Sequence, residues 1–386
     1  MPRVSLYFQL SNFYFWYFAF IGAFAPYFAL YLQWLGYTPL QIGALLAINP
    51  VSRIYGPNLW GWLADHYRAR GAIARACAVA TAVVFAAVLL HPGFWGMFAL
   101  LAVLNLFWSG ILPLAEASTM GLLGSRIGTY GRIRLWGSVG FVLVVVAGGY
   151  LLDRFGIRTL EPAVLLLLAV TAAASFAMPR DRSVSPHART VSIGAVLSQP
   201  AVLALLTGFL LMQVAHGPYN AFYSIFLVEN GHSKTVVGWL WAVGVLAEIA
   251  LFVSLPRVMK RWTLEQILLA SFACAVLRFL LIAWGVGWVA VLAFAQLLHA
   301  VTFGAFHAAG VAAMHRIFRG PSQARGQALY TSLGYGAGGT LGTLLSGGLW
   351  ESVGGAVTFS LAALAAACAW AILRFAPRSV TPPVGG

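Results

Sequence analysis

The chain has 386 residues, 61% of them hydrophobic and 8% charged, with a mean hydropathy of +0.86. Soluble domains average roughly 45–50% apolar and about 25% charged residues, so a large soluble α-protein is excluded and lipid must solvate most side chains. The net charge of +14 calls for an anionic surface, and the placement of the charges assigns it to membrane lipid and not to nucleic acid.

Apolar runs of about 18 residues or more read as spanning helices. Twelve are present, centred near residues 20, 51, 82, 107, 143, 169, 214, 246, 274, 302, 337 and 364. The alternation expected of membrane strands is absent. The first run has no small-residue cleavage site and is read as a retained helix. From a cytoplasmic N-terminus, inside segments receive eighteen Lys and Arg, including Arg3, Arg180, Arg182, Arg189 and Arg378; outside loops receive three, Arg154, Arg158 and Lys234. This asymmetry predicts an inner (cytoplasmic) membrane protein with both termini in the cytoplasm.

Helix 1, NFYFWYFAFIGAFAPYF, is crowded with aromatic side chains. Asn12, Tyr14, Tyr17 and Tyr27 are its candidates for lining a pocket; the rest suit lipid or neighbouring helices. Helix 2 carries Arg53 mid-span and ends in GWLADHYRAR, with Gly61, Asp65 and Arg70. An Asp at a helix C-terminus opposes the helix dipole, so Asp65 is expected to cap a neighbouring helix and bond an Arg there, as a latch. In helix 4, FWSGILPLAEASTMG, Pro113 permits a kink. Glu116 there either lines a moving wall or meets the Arg126–Arg134 cluster. Helix 7 contains HGPYNAFY, with His216, Tyr219, Asn220 and Tyr223; aromatic faces with amides suit a ring-bearing solute. Helix 8, WAVGVLAEIALFV, places Glu248 in an apolar run, helix 9 carries Arg278, and helix 10, QLLHAVTFGAFHAAG, carries His299 and His307. Eight residues turn an α-helix by about 80°, so both rings share one broad face.

Four full charges therefore lie in spans: Arg53, Glu116, Glu248 and Arg278. Each costs roughly 2.5–3.5 kcal/mol at a helix centre, which mutual pairing offsets. Two readings stand: structural ion pairs, or a network in which a carboxylate takes up and releases a proton. His titrates near neutrality, which brings His299 and His307 into the second reading. No third ligand at helical spacing completes a metal site. Cys77, Cys274 and Cys368 fall in helices as packing residues, and no cofactor motif or Walker loop is present.

The polar stretch 179–199 divides the runs six and six. GYTPLQIGALLAINPVSR from Gly36 and GHSKTVVGWLWAVGVLAE from Gly231 align at an offset of 195; Gly131 and Gly326 share that offset, and GGYLLDRFG (148–156) resembles GGLWESVG (347–354). At the same offset Glu248 pairs with Arg53. The expected fold is an all-α integral membrane protein of twelve transmembrane helices in two pseudo-symmetric six-helix bundles, 1–178 and 200–386, joined by a cytoplasmic central loop, 179–199. Such an architecture belongs to secondary transporters.

Gly61, Asp65 and Arg70 resemble the helix 2–3 signature of the major facilitator superfamily, with His66 and Arg68 departing from it. YGRIRLWGSVGFV, MQVAHGPYNAFYSIF, GWLWAVGVLAE, VLRFLLIAW and QLLHAVTFGAFHAA resemble the 3-phenylpropionate permease group, and more distantly lactose permease and nucleoside–proton symporters. The resemblance implies a proton-coupled permease without fixing its substrate; the expectation adopted is a monomeric symporter of a small organic solute with a proton, an aromatic carboxylate first. By analogy Glu248, Arg278 and a helix 10 His form the proton and substrate network, and Glu116 matches an acidic position. Arg53, the repeat's counterpart of Glu248, is the expected carboxylate anchor, since Arg suits a carboxylate through a two-pronged contact. Proton-coupled efflux of amphipathic compounds and sugar or nucleoside symport are the alternatives. An intramembrane enzyme lacks a nucleophile–base motif, and a non-transporting receptor would show no solute flux.

Overall fold

The computed structural model describes residues 5–179, 194–319 and 322–376. Most of the central loop 179–199, with Arg180, Arg182 and Arg189, lies outside the described residues, as do Arg3 and Arg378. Twelve long helices account for nearly all of the described chain. They are α1 (Leu6–Trp34), α2 (Pro39–His66), α3 (Arg70–Ala86), α4 (Phe94–Leu123), α5 (Tyr130–Phe155) and α6 (Leu160–Ala177) before the central stretch. After it come α7 (Pro200–Ala215, continued by Gly217–Glu229), α8 (Lys234–Arg261) and α9 (Leu264–Gly285). The last three are α10 (Val289–His299, Ala300–Ala305 and Phe306–Ile317), α11 (Gln323–Tyr330, Thr331–Gly338 and on to 353) and α12 (355–375). Among the described residues, nine stretches are long and apolar enough to cross a membrane. Two of these, Phe94–Phe155 and Gln323–Phe375, each hold two helices. α2, with Arg53 and interior Pro50 and Pro57, is not among the nine, yet its 28 residues suffice for a span.

Local chemistry sets the helix ends. Thr38 starts α2 with a capping box to Gln41, and Thr263 starts α9 with one to Gln266; such caps contribute about 1 kcal/mol each. The repeat is visible in the stops. Gly36 after α1 and Gly231 after α7 have φ of 87° and 86°; Gly156 after α5 and Gly354 after α11 have 86° and 80°. Only glycine adopts such torsions without strain, so the aligned glycines are helix terminators used twice.

The chain forms two compact units. In the first, α1 is the most internal helix. Gly22 and Gly140 let α1 and α5 cross so closely that a Cβ at either would strike the partner's backbone, the small-residue packing that membrane helices use in place of a hydrophobic drive. The aromatic residues of α1 are interior. Tyr14 bonds Thr119 (3.2 Å), the Trp108 indole donates to Tyr17 (3.0 Å), and Tyr27 donates to the Val145 carbonyl (2.6 Å). In the second unit α7 and α11 cross in the same manner through Gly217, Gly338 and Gly342.

Residues Leu227–Ala242, which follow the central loop in sequence, group with the first unit. Close contacts and bonds at the start of α8 run to α1 and α5 of that unit. The Asp153 carboxylate at the end of α5 accepts from the amides of Lys234 (3.0 Å) and Thr235 (2.8 Å) and from the Thr235 hydroxyl (2.6 Å). The Lys234 ammonium lies 3.7 Å away, and Ser233 takes the Val236 amide (3.2 Å). The first three orphan donors of α8 are thereby satisfied.

Candidate functional site

The second unit gathers four of the residues singled out above. α8 carries Glu248, and its Oε1 lies 3.3 Å from His299 Nε2 on α10. Both side chains are largely enclosed, at 17% and 12% exposure. Gly244, one turn before Glu248, makes room: a Cβ there would stand 3.1 Å from Gln296 Oε1 and 3.3 Å from His299 Cδ2. Arg278 on α9 is fully buried. Its Nη1 donates to Thr302 Oγ1 (3.2 Å), and its guanidinium lies 4.1 Å from the centre of the Tyr219 ring, a cation–π contact that gains strength when desolvated. Among the described residues its Nε and Nη2 make no hydrogen bond. Tyr219 in turn donates to Gln296 Oε1 (3.1 Å) and packs against His299, with ring centres 5.4 Å apart. Glu248, His299, Gln296, Tyr219, Arg278 and Thr302 thus form one buried polar cluster in an apolar bundle.

His216 sits at the break in α7, 1% exposed, with Nδ1 2.8 Å from the Met212 carbonyl. That contact requires Nδ1 to donate. Its ring packs on Phe279, 5.2 Å away, next to Arg278 in sequence. Asn220 is exposed.

His307 is placed differently. It is exposed, and its Nδ1 meets two α11 phenols, Tyr335 at 3.0 Å and Tyr330 at 3.3 Å. The helix between the two histidines is not α-helical. Ala300–Ala305 is a π-helix, and Thr331–Gly338 opposite is another. A π turn rotates less per residue than an α turn, so the 80° expected between His299 and His307 shrinks. A run of rings joins them: His299 stacks on Phe303 (5.3 Å, 15°), Phe303 meets Tyr335 (6.3 Å), and Tyr335 meets His307 (5.8 Å).

The remaining candidates lie in the first unit. Glu116 accepts from Tyr130 (3.1 Å) and lies 3.9 Å from Arg134 Nε, an arrangement on the side of the basic cluster. Arg53 is exposed on α2. Asn12 is occupied by its own helix, accepting from the Trp16 indole (3.1 Å). Asp65 takes Arg70 through Nη2 (2.7 Å) and Nε (3.1 Å), while Ala69 leaves α3 without a side-chain cap. Gly61 has open space beside it.

Sequence reasoning passed over Gln296, Thr302, Tyr330 and Tyr335, uncharged residues in helices that also hold inert polar ones. Gln296 and Thr302 flank His299 at i−3 and i+3, the spacing that shares a helix face, which was the available signal. It also missed a second enclosed carboxylate. Glu161, 8% exposed at the start of α6, accepts from Tyr31 (2.6 Å) and lies 2.8 Å from His91 Nε2.

Comparison with known proteins places this geometry in context. The family described as MFS_1 like matches residues 7–361. A probable 3-phenylpropionic acid transporter of Escherichia coli (strain K12) is 30% identical over 375 residues, covering 91% of this chain and 93% of its own. A maltose permease of Geobacillus stearothermophilus is 28% identical, with 88% and 86% covered. Among solved structures, a mutant of the nucleoside transporter NupG superposes with a TM-score of 0.87 at 16% identity, covering 96% of this chain and 99% of that one.

Proposed function

Because the chain belongs to the MFS_1 like family of multi-pass membrane transporters, we propose that it moves a small aromatic carboxylate together with a proton, by alternating access. The observation that carries this reading is the buried Glu248–His299 contact beside the fully buried Arg278. Packed apolar residues would serve a merely structural position at least as well, so charges kept at membrane depth point to function. With Glu248 ionised, its charge and that of Arg278 cancel. With Glu248 protonated, the cation of Arg278 stands alone and favours an anion nearby. Proton and carboxylate thus stabilise one another in the bound state, and reciprocal stabilisation is what coupling requires. His299 is the group through which the proton reaches or leaves Glu248.

The relative named for 3-phenylpropionic acid supports the substrate class, since the similarity runs over nearly the full length of both chains. The charge asymmetry of the loops supports an inner-membrane location with both termini cytoplasmic. The protein acts as a monomer and transports its solute unchanged. A second reading, uptake of an uncharged sugar, draws on the maltose permease relative.

Uptake of labelled 3-phenylpropionate and maltose into proteoliposomes, acidic outside, tests both readings. Protein-free vesicles supply the baseline, because the neutral acid crosses lipid unaided. Glu248→Gln is expected to abolish the uphill part of 3-phenylpropionate uptake while downhill exchange persists. Full uphill accumulation in that variant would remove Glu248 as the proton carrier, and accumulation of maltose alone would replace the carboxylate with a sugar.

A further inference from the structure

The His307–Tyr330–Tyr335 group is not part of the Glu248 cluster, and its geometry fits a different task. His307 is exposed, whereas Tyr330 is 1% exposed. An ionisable ring at membrane depth faces a water-filled path by default, and not lipid. Both phenols converge on Nδ1. A phenol hydroxyl donates more readily than it accepts, because its lone pairs conjugate with the ring; the neutral imidazole has one lone pair at Nδ1, and it takes the nearer phenol, Tyr335 at 3.0 Å, with Tyr330 beside it at 3.3 Å. The ring hydrogen then resides on Nε2. A protonated imidazole also carries a hydrogen there. Among the described residues Nε2 makes no hydrogen bond.

We propose that His307 Nε2–H is the seat of the substrate carboxylate, with Tyr330 and Tyr335 as positioning residues that hold its donor outward. The π-helices of α10 and α11 bring this about, because they turn His307 and Tyr335 to one side with Phe303. Phe303 and Tyr335 are half-buried and offer ring surface one helical turn from the seat, where an aromatic body would lie. Arg278, the stronger cation, is sealed beneath Tyr219 and wholly buried, so its charge acts on the anion through space while His307 makes the contact. The inference rests on the aromatic-carboxylate reading and assigns the anchoring role to His307 in place of Arg53.

The test is equilibrium binding of 3-phenylpropionate and of its neutral amide to the purified full-length protein in lipid nanodiscs. A hydrogen bond to a charged group is about twice as strong as a neutral one. The wild type should therefore prefer the acid, and His307→Leu should weaken the acid by about tenfold or more and the amide much less. His307→Gln, whose carboxamide places an N–H near the lost Nε2, should recover part of the affinity for the acid. The double variant Tyr330→Phe/Tyr335→Phe should lower the acid-to-amide ratio, which a general loss of packing would not do. Unchanged acid binding by His307→Leu overturns the seat, as does an equal loss of acid and amide. Acid binding lost only in Arg53→Ala returns the anchor to α2. Failure of the wild type to bind the acid at all removes the substrate class and the seat with it.

Discussion

Single residues were legible in proportion to their chemical cost. Glu248, Arg278 and His299 stand out in the sequence because a charged or titratable group in an apolar span demands a compensating partner. The identity of the partners was not legible. Thr302 and Gln296 are ordinary polar residues until folding sets them against Arg278 and Tyr219. Their roles lead to a prediction at this scale. Thr302→Val preserves volume but removes the oxygen that accepts from buried Arg278. It should cost about 1.5–3 kcal/mol, the range for a hydrogen bond to a charged group, whereas Thr302→Ser should cost less. Thermal unfolding of the purified protein in detergent measures both, and equal stability of the two variants would show that the hydroxyl contributes nothing. Arg53 shows the converse limit. The repeat pairs its position with Glu248, but equivalence in a duplicated sequence carries no chemistry, and Arg53 is exposed where Glu248 is largely enclosed.

At the scale of elements, helix existence followed from apolar length, whereas the Thr–Gln caps and terminal glycines that set the ends came from the structure. The π-helices did not follow, because their sequences, AVTFGA and TSLGYGAG, satisfy α-helical patterning equally well. A π segment is favoured only when neighbouring side chains reward the rotated positions, here the ring contacts of His299, Phe303, Tyr335 and His307. Glu161 went unnoticed for a related reason: near a predicted helix start it reads as a solvated first-turn acid, and only folding adds Tyr31 and His91. The start of α8 offers the clearest test of an element. Asp153→Ala removes the acceptor for two backbone amides and should destabilise the protein by about 1–2 kcal/mol, as loss of an N-cap does. Asp153→Asn retains one acceptor oxygen and should lose less. Hydrogen exchange of the Lys234 and Thr235 amides reads the effect locally. Unaltered protection in Asp153→Ala would show that the cap does not hold the turn.

For the whole molecule, a proton symporter makes a directional prediction. With acid outside, protein-dependent accumulation of 3-phenylpropionate should exceed the protein-free baseline at early times, and a protonophore should remove the excess while leaving exchange intact. A gradient of the opposite sign should drive efflux. Accumulation insensitive to the protonophore would exclude proton coupling. By itself the sequence determined that this chain is a twelve-helix membrane transporter built from a repeated half, and that a few charges lie at membrane depth. The helix count and the buried charges rest on quantities that add along the chain, apolar length and the cost of a buried charge; the repeated half and the transporter class rest on aligned segments and shared motifs. The tertiary structure alone decided which groups those charges meet, that Leu227–Ala242 groups with the first unit, and that Tyr330 and Tyr335 meet His307 at Nδ1. These depend on contacts between distant segments, whose register is set by close helix crossings and π turns, and no local pattern encodes them.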